Sequence, residues 1–241
     1  MSKIFKAELY KIRHNLVFFV SLLASAPLGA LLTVVAGLDS SICLAEVLSS
    51  IVSFYEIFFI IMIAMYVTND YEKGTIKAIV SSGVSKTKIY FGRLLVSIFI
   101  SEIMFILACI GAYVWGTVKG IPMTSGEFVW TNMQIIESIV IQMIIVIAYA
   151  MIGYFISVLT KKQIVAIMVS IVVINFEPVA VSYIGKALGQ NLSVLDFSNT
   201  ISQIEKLNIT GNILLSSLLF VLVVFVFTFA IGTYVFKHRD I

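Results

Sequence analysis

The sequence predicts an all-α, polytopic membrane protein with about six spanning helices, and three observations carry that reading. Hydrophobic residues make up 60% of the 241 positions and charged residues only 12%, about half the charged share of a soluble domain. The mean hydropathy is +1.08. The apolar residues come in blocks of about 20, the length that crosses about 30 Å of hydrocarbon at about 1.5 Å rise per residue. Alternating strands of about ten residues, the mark of a membrane barrel, are absent from these runs of Ile, Val, Leu and Phe.

The runs place the spans of one transmembrane domain at about 16–38, 47–68, 92–115, 134–159, 164–184 and 213–236. The first, from Leu16 to Leu38, exceeds the apolar core of a cleaved signal, about 7 to 15 residues, and is expected to remain as a helix. Six spans put both termini on one side. Thirteen of the 16 basic residues fall on one set of flanks: Lys3, Lys6, Lys11, Arg13, Lys73, Lys77, Lys86, Lys88, Arg93, Lys161, Lys162, Lys237 and Arg239. Only Lys119, Lys186 and Lys206 fall on the other. The bias of Lys and Arg toward the inner face places both termini and the 69–91 and 160–163 loops in the cytoplasm.

Ahead of the first span, Ile4, Phe5, Leu9 and Ile12 recur at helical spacing with Lys3, Lys6, Lys11 and Arg13 between them. That pattern predicts a short basic amphipathic helix at the inner membrane surface. A simple topology anchor and a contact with a partner both fit it. In the fifth span the apolar stretch Ile164–Ile174 meets Asn175, Phe176, Glu177 and Pro178. Pro178 has no N–H for the carbonyl of Ile174 and clashes with it, so a kink or break is expected there, and a helix that breaks and partly re-enters over Val179–Gln190 fits better than a straight rod. Residues 191–212 then form an external excursion containing the Asn191–Ser193 and Asn208–Thr210 triplets, and Trp115 and Trp130 read as interfacial anchors.

Glu56, Glu102 and Glu177 fall inside spans. An ionised carboxylate at depth costs several kcal/mol, so such residues face protein or water rather than lipid. They either line a route for a cationic substrate or bond helix to helix, for instance to Ser53, Ser101, Asn175 or Tyr183. Cys43 and Cys109 lie in or beside apolar segments without a CxxC motif and read as packing residues. Neither HExxH nor GxSxG occurs, and no span contains a histidine, so a membrane-embedded hydrolase has no constellation to work with. Gly83–Thr87 lacks the GxxxxGK[ST] order of a phosphate loop, since Ser85 precedes Lys86. The chain is expected to carry no catalytic centre, metal site or cofactor of its own.

Between spans two and three, residues 70–88 are the most informative stretch. Ile76, Ile79 and Val80 form an apolar stripe while Glu72, Lys73 and Lys77 are polar, which predicts a short amphipathic helix. Ser82 and Gly83 can stop it, and Ser85 is placed to cap the next helix. The order Glu72-Lys73-Gly74-Thr75, a short apolar helix, Ser85-Lys86-x-Lys88 and Gly92-Arg93 resembles the coupling segment of type-2 ATP-binding-cassette exporter permeases. The nearest likeness is to the compact six-helix subunits for bacteriocin, bacitracin and other amphipathic-peptide export or immunity. The likeness covers the whole chain as topology and about 25 positions as residues. It implies a permease in the bacterial cell membrane, a homodimer or pseudo-dimer of six-helix halves with two cytoplasmic ATPase subunits that hold the ATP and Mg²⁺. It also implies that Glu72, Gly74, Thr75, Ile76, Lys77, Ile79, Val80, Ser85 and Lys86 couple the chain to the ATPase. A proton-coupled secondary carrier using Glu56, Glu102 and Glu177 is the alternative; such carriers often show internal repeats, and none is visible between 1–115 and 134–241.

Overall fold

The computed structural model describes residues 2–36, 42–81, 83–123, 131–189, 196–205 and 211–238. Among them run nine helices: α1 (Ser2–Arg13), α2 (Leu16–Ala36), α3 (Leu44–Glu72), α4 (Thr75–Ser81), α5 (Lys86–Val118), α6 (Asn132–Thr160), α7 (Gln163–Leu188), α8 (Phe197–Glu205) and α9 (Gly211–His238). No strand occurs among the described residues. Six helices, α2, α3, α5, α6, α7 and α9, are long and apolar enough to cross a membrane, at the positions where the apolar runs place spans. The Asn191 and Asn208 triplets, Trp130, Lys206 and Arg239 lie outside the described residues.

Burial divides the six into two groups. The membrane windows of α3, α5 and α6 are 56–61% buried, and those of α2, α7 and α9 only 17–28%. The first three form the core, and the others present broad apolar faces outward. In hydrocarbon the apolar faces of two helices gain little from meeting, so close approach depends on small residues and on hydrogen bonds between helices. Both occur here. A Cβ on Gly29 of α2 would overlap the Ala108 carbonyl of α5, and one on Gly111 would overlap the Ala26 carbonyl, so these backbones touch. The Tyr55 hydroxyl of α3 donates to the Ser25 carbonyl of α2. Gln142 of α6 donates to the Leu48 carbonyl at 2.9 Å and accepts from Val52 N at 3.2 Å, stapling one turn of α3. Tyr154 of α6 donates to the Tyr90 carbonyl at 2.9 Å, and Tyr90 of α5 to the Thr228 carbonyl of α9 at 2.8 Å.

The fifth spanning helix corrects the expectation of a break. α7 continues through Pro178 to Leu188. Proline removes one backbone bond, but a spanning chain that left the helix there would strand several more polar groups in hydrocarbon. Continuation is the smaller loss. Its end is set by Gly189 at φ 64°, whose N–H caps the last turn. The chain returns as α8, with Ile204 fully buried and Thr200 and Ile201 nearly so, packed against α3, α6, α7 and α9.

Candidate functional site

The end of the bundle that carries α1 also gathers the close of α3, α4, the start of α5, the α6–α7 turn and the close of α9. Gly74 at φ 69° ends α3, and Gly83 at φ 82° follows α4; this left-handed backbone suits glycine. These two residues set α4 off as a separate helix. Its stripe turns toward the body: Ile76 is 1% exposed, and Ile79 and Val80 pack against the core. Glu72, Lys73, Thr75, Lys77 and Ser85 remain exposed.

Hydrogen bonds at Glu72, Lys86 and Thr75 help hold the segment to the body. Glu72 Oε1 accepts from Gln163 N of α7 at 3.3 Å, an acid placed at a helix N-terminus where the exposed N–H groups favour it. Lys86 Nζ donates to the Lys237 carbonyl of α9 at 3.1 Å. Thr75 Oγ1 donates to Asp70 Oδ1 at 2.9 Å and to the Asp70 carbonyl at 3.3 Å. Ser85 sits at the N-cap of α5 but makes no side-chain capping bond. Of the nine residues assigned to coupling, Ile76 therefore faces the protein itself, whereas Glu72, Thr75, Lys77 and Ser85 reach the surface.

Asp70 leads to a cluster that the motif reading missed. It is 1% exposed, and one of its oxygens contacts the terminal nitrogen of Arg93, itself 2% exposed, while the other contacts Lys11 Nζ. Arg93 Nε donates to Glu8 Oε1 at 3.0 Å, and the Tyr66 hydroxyl donates to Glu8 Oε2 at 2.8 Å. Lys11 Nζ stands 4.0 Å from Glu8 Oε2. The Tyr66 ring faces both cations, 5.6 Å from Lys11 Nζ and 6.0 Å from the Arg93 guanidinium carbon, and Phe18 of α2 closes its edge at 5.6 Å.

Two acids and two bases thus meet where α1, α3 and α5 converge, with α4 joined through Thr75. Burial by itself would raise the Glu8 carboxyl, but the charges of Arg93 and Lys11 and the bonds from Tyr66 and Arg93 outweigh it and hold Glu8 below its ordinary value. Each buried ion costs several kcal/mol in lost hydration, so a cluster of this kind persists only if charges balance and hydrogen bonds are met. The sequence does hold one signal of it. Glu8 lies four residues from Ile4 and four from Ile12, a carboxylate in the middle of the apolar stripe of α1.

Tyr149 of α6 interacts with two of the three intramembrane glutamates, Glu56 and Glu177. Glu56 of α3 is hydrogen-bonded by Tyr149 of α6, which is 2% exposed and also feels the charges of Glu177 and Asp196. In Glu102 of α5 both carboxylate oxygens are shielded and neither has a hydrogen-bond partner among the described residues. Two of the donors suggested in the sequence bond within their own helices, Ser101 to the Ser97 carbonyl and Asn175 to the Ile171 carbonyl. Cys43 and Cys109 are free thiols. Each histidine pairs through Nδ1 with a carbonyl one turn back, His14 with Tyr10 and His238 with Tyr234. Among the described residues no group of three or more His, Cys, Asp or Glu could hold a metal ion.

No curated protein matches the chain. One family model does, over residues 16–241, from the start of α2 through the last residue. By that match the chain belongs to the DUF2705 family, described as proteins of unknown function.

Proposed function

We propose that this chain is the permease subunit of an ATP-driven exporter of the ATP-binding-cassette type, in the bacterial cell membrane, with both termini in the cytoplasm. Two copies join two cytoplasmic ATPase subunits, which bind ATP and Mg²⁺ and carry out the hydrolysis; the cargo is a hydrophobic or amphipathic peptide of the antimicrobial kind. The observation that carries this reading is α4. It is a short helix set between two core spans, its apolar stripe turned inward and Thr75 and Lys77 exposed, with Glu72 and Lys73 exposed just before it. Such a segment gives a soluble partner a firm polar grip on α3 and α5. Ile76, Ile79 and Val80 act by seating α4, with Gly74 setting its turn, and Ser85 and Lys86 open the following helix. In this reading Glu56, Glu102 and Glu177 face the route of a cationic peptide.

The test is to express the chain with the ATPase encoded beside it and purify the assembly in detergent. A 2:2 complex whose hydrolysis rises with candidate peptides is expected, and changing Glu72 and Lys77 together should weaken association or stimulation. Unchanged assembly and coupling in that double variant would remove α4 as the docking element. The second reading, a proton-coupled carrier, is favoured by the Glu102 carboxyl, which has no hydrogen-bond partner among the described residues. It requires the chain alone, in vesicles, to move cargo in response to a pH gradient.

A further inference from the structure

The amphipathic α1 fits a membrane anchor, yet an anchor has no need of a buried carboxylate. Glu8 is 5% exposed and bonded to Arg93 of α5 and Tyr66 of α3, while Lys11, one turn on, contacts Asp70. Asp70 in turn receives the Thr75 hydroxyl at the first residue of α4. A continuous chain of polar contacts therefore runs from α1 through Arg93 and Asp70 to α4, inside a shell closed by Phe18 and Tyr66. Two acids against two bases leave the cluster neutral. Loss of any one member leaves a buried charge without its counterpart, so the parts are held together or separate together.

We propose that Glu8, Asp70 and Arg93 are positioning residues for coupling: they bind α1, α4 and the inner ends of α3 and α5 into one rigid block, so that a push on α4 is delivered to the spans with α1 as a strut. The inference rests on the permease reading and adds a role for α1 within it. Push on a loosely held α4 would be lost in the Gly74 and Gly83 turns. Held through Thr75 and Asp70, α4 moves the guanidinium of Arg93, and with it the core helix α5.

The experiment uses the full chain with spin labels at Arg13→Cys and Ser81→Cys, in a background with Cys43 and Cys109 changed to serine, alone and with the ATPase subunits. The unaltered cluster is expected to give a single narrow distance between α1 and α4, and Glu8→Gln to broaden it. In the unlabelled complex, Glu8→Gln should still co-purify with the ATPase but lower peptide-stimulated hydrolysis about fivefold or more, the lower range of coupling between distant sites. Glu8→Asp, which keeps the charge, should restore most of that stimulation. If Glu8→Gln does not reach the membrane, Tyr66→Phe, which removes one bond to Glu8, should show both effects to a smaller degree. A distance that stays narrow in Glu8→Gln, or a broadened distance with undiminished stimulation, would overturn the proposal. Failure of the unaltered chain to take up any ATPase would instead overturn the permease reading and the transmission role with it, while the distances would still report whether the cluster holds α1 to α4.

Discussion

The charges at the basic end and the carboxylates within the spans meet the cost of burial in opposite ways. At the basic end Glu8, Asp70, Lys11 and Arg93 cancel one another and are tied by ion pairs and hydrogen bonds across three helices. In the spans Glu56 has a tyrosine hydroxyl and no base, and Glu102 has no partner among the described residues. A balanced cluster fixes positions, because each member is needed by the others. An unbalanced carboxylate fixes little by itself and leaves capacity for a cation, a proton or a cargo to bind. The difference sets a rigid, charge-balanced end near α4 against carboxylates in the interior without a balancing base among the described residues.

The largest expected effect breaks the balanced side. Arg93→Met leaves two buried acids facing Lys11 alone, and loss of one member of such a group costs about 3–5 kcal/mol. Its apparent thermal midpoint in detergent should fall far more than that of Arg13→Met, a change at an exposed position of α1. Equal midpoints would remove the cluster as a structural element. Tyr149→Phe comes next: it strips the one donor assigned to Glu56 and should cost about 1–3 kcal/mol, as for a buried acceptor left unpaired. Glu56→Gln on its own, able to accept from the same hydroxyl, should cost less, and a reversed order would show that the bond is not formed.

Acid should then separate the two regions. Because the folded protein holds the Glu8 carboxyl below its ordinary value of 4.5, its contribution is complete above about pH 4.5 and is lost as pH falls through the lower folded value. The apparent midpoint should drop in that acid range, and the drop should shrink in Glu8→Gln; an identical profile in the variant would contradict the assignment. Glu102→Gln should have the smallest effect on stability, less than about 1 kcal/mol, since no hydrogen-bond partner among the described residues is lost. Its value lies in transport. Full cargo movement with Glu56→Gln, Glu102→Gln and Glu177→Gln, at normal membrane levels, would leave all three as structural residues.

The sequence made the spans legible because a bilayer imposes a length and an apolar composition that can be counted along the chain. It misread α7 for a related reason. Pro178 is a strong local signal, yet the absence of water around the following residues makes a continued helix better than a broken one. The α4 segment was legible from Gly74, the Ile76–Val80 stripe and Gly83, whereas the direction of the stripe was not. That depends on the room between α3 and α5. The charge cluster was the least legible part, since Glu8 meets Arg93 across 85 positions and Tyr66 across 58. Periodicity reports faces of one helix, and only its one irregularity, a glutamate at the centre of an apolar stripe, pointed to a partner elsewhere.

The account depends on α4 lying in the cytosol, where an ATPase can reach it. The direct measurement is to place a single cysteine at Lys77, in a chain with Cys43 and Cys109 changed to serine, and treat intact cells and inverted membrane vesicles with a membrane-impermeant thiol reagent. Labelling in the inverted vesicles and none in intact cells is the predicted result. Labelling of intact cells would put α4 outside and contradict the assignment of this chain as an ATPase-coupled permease.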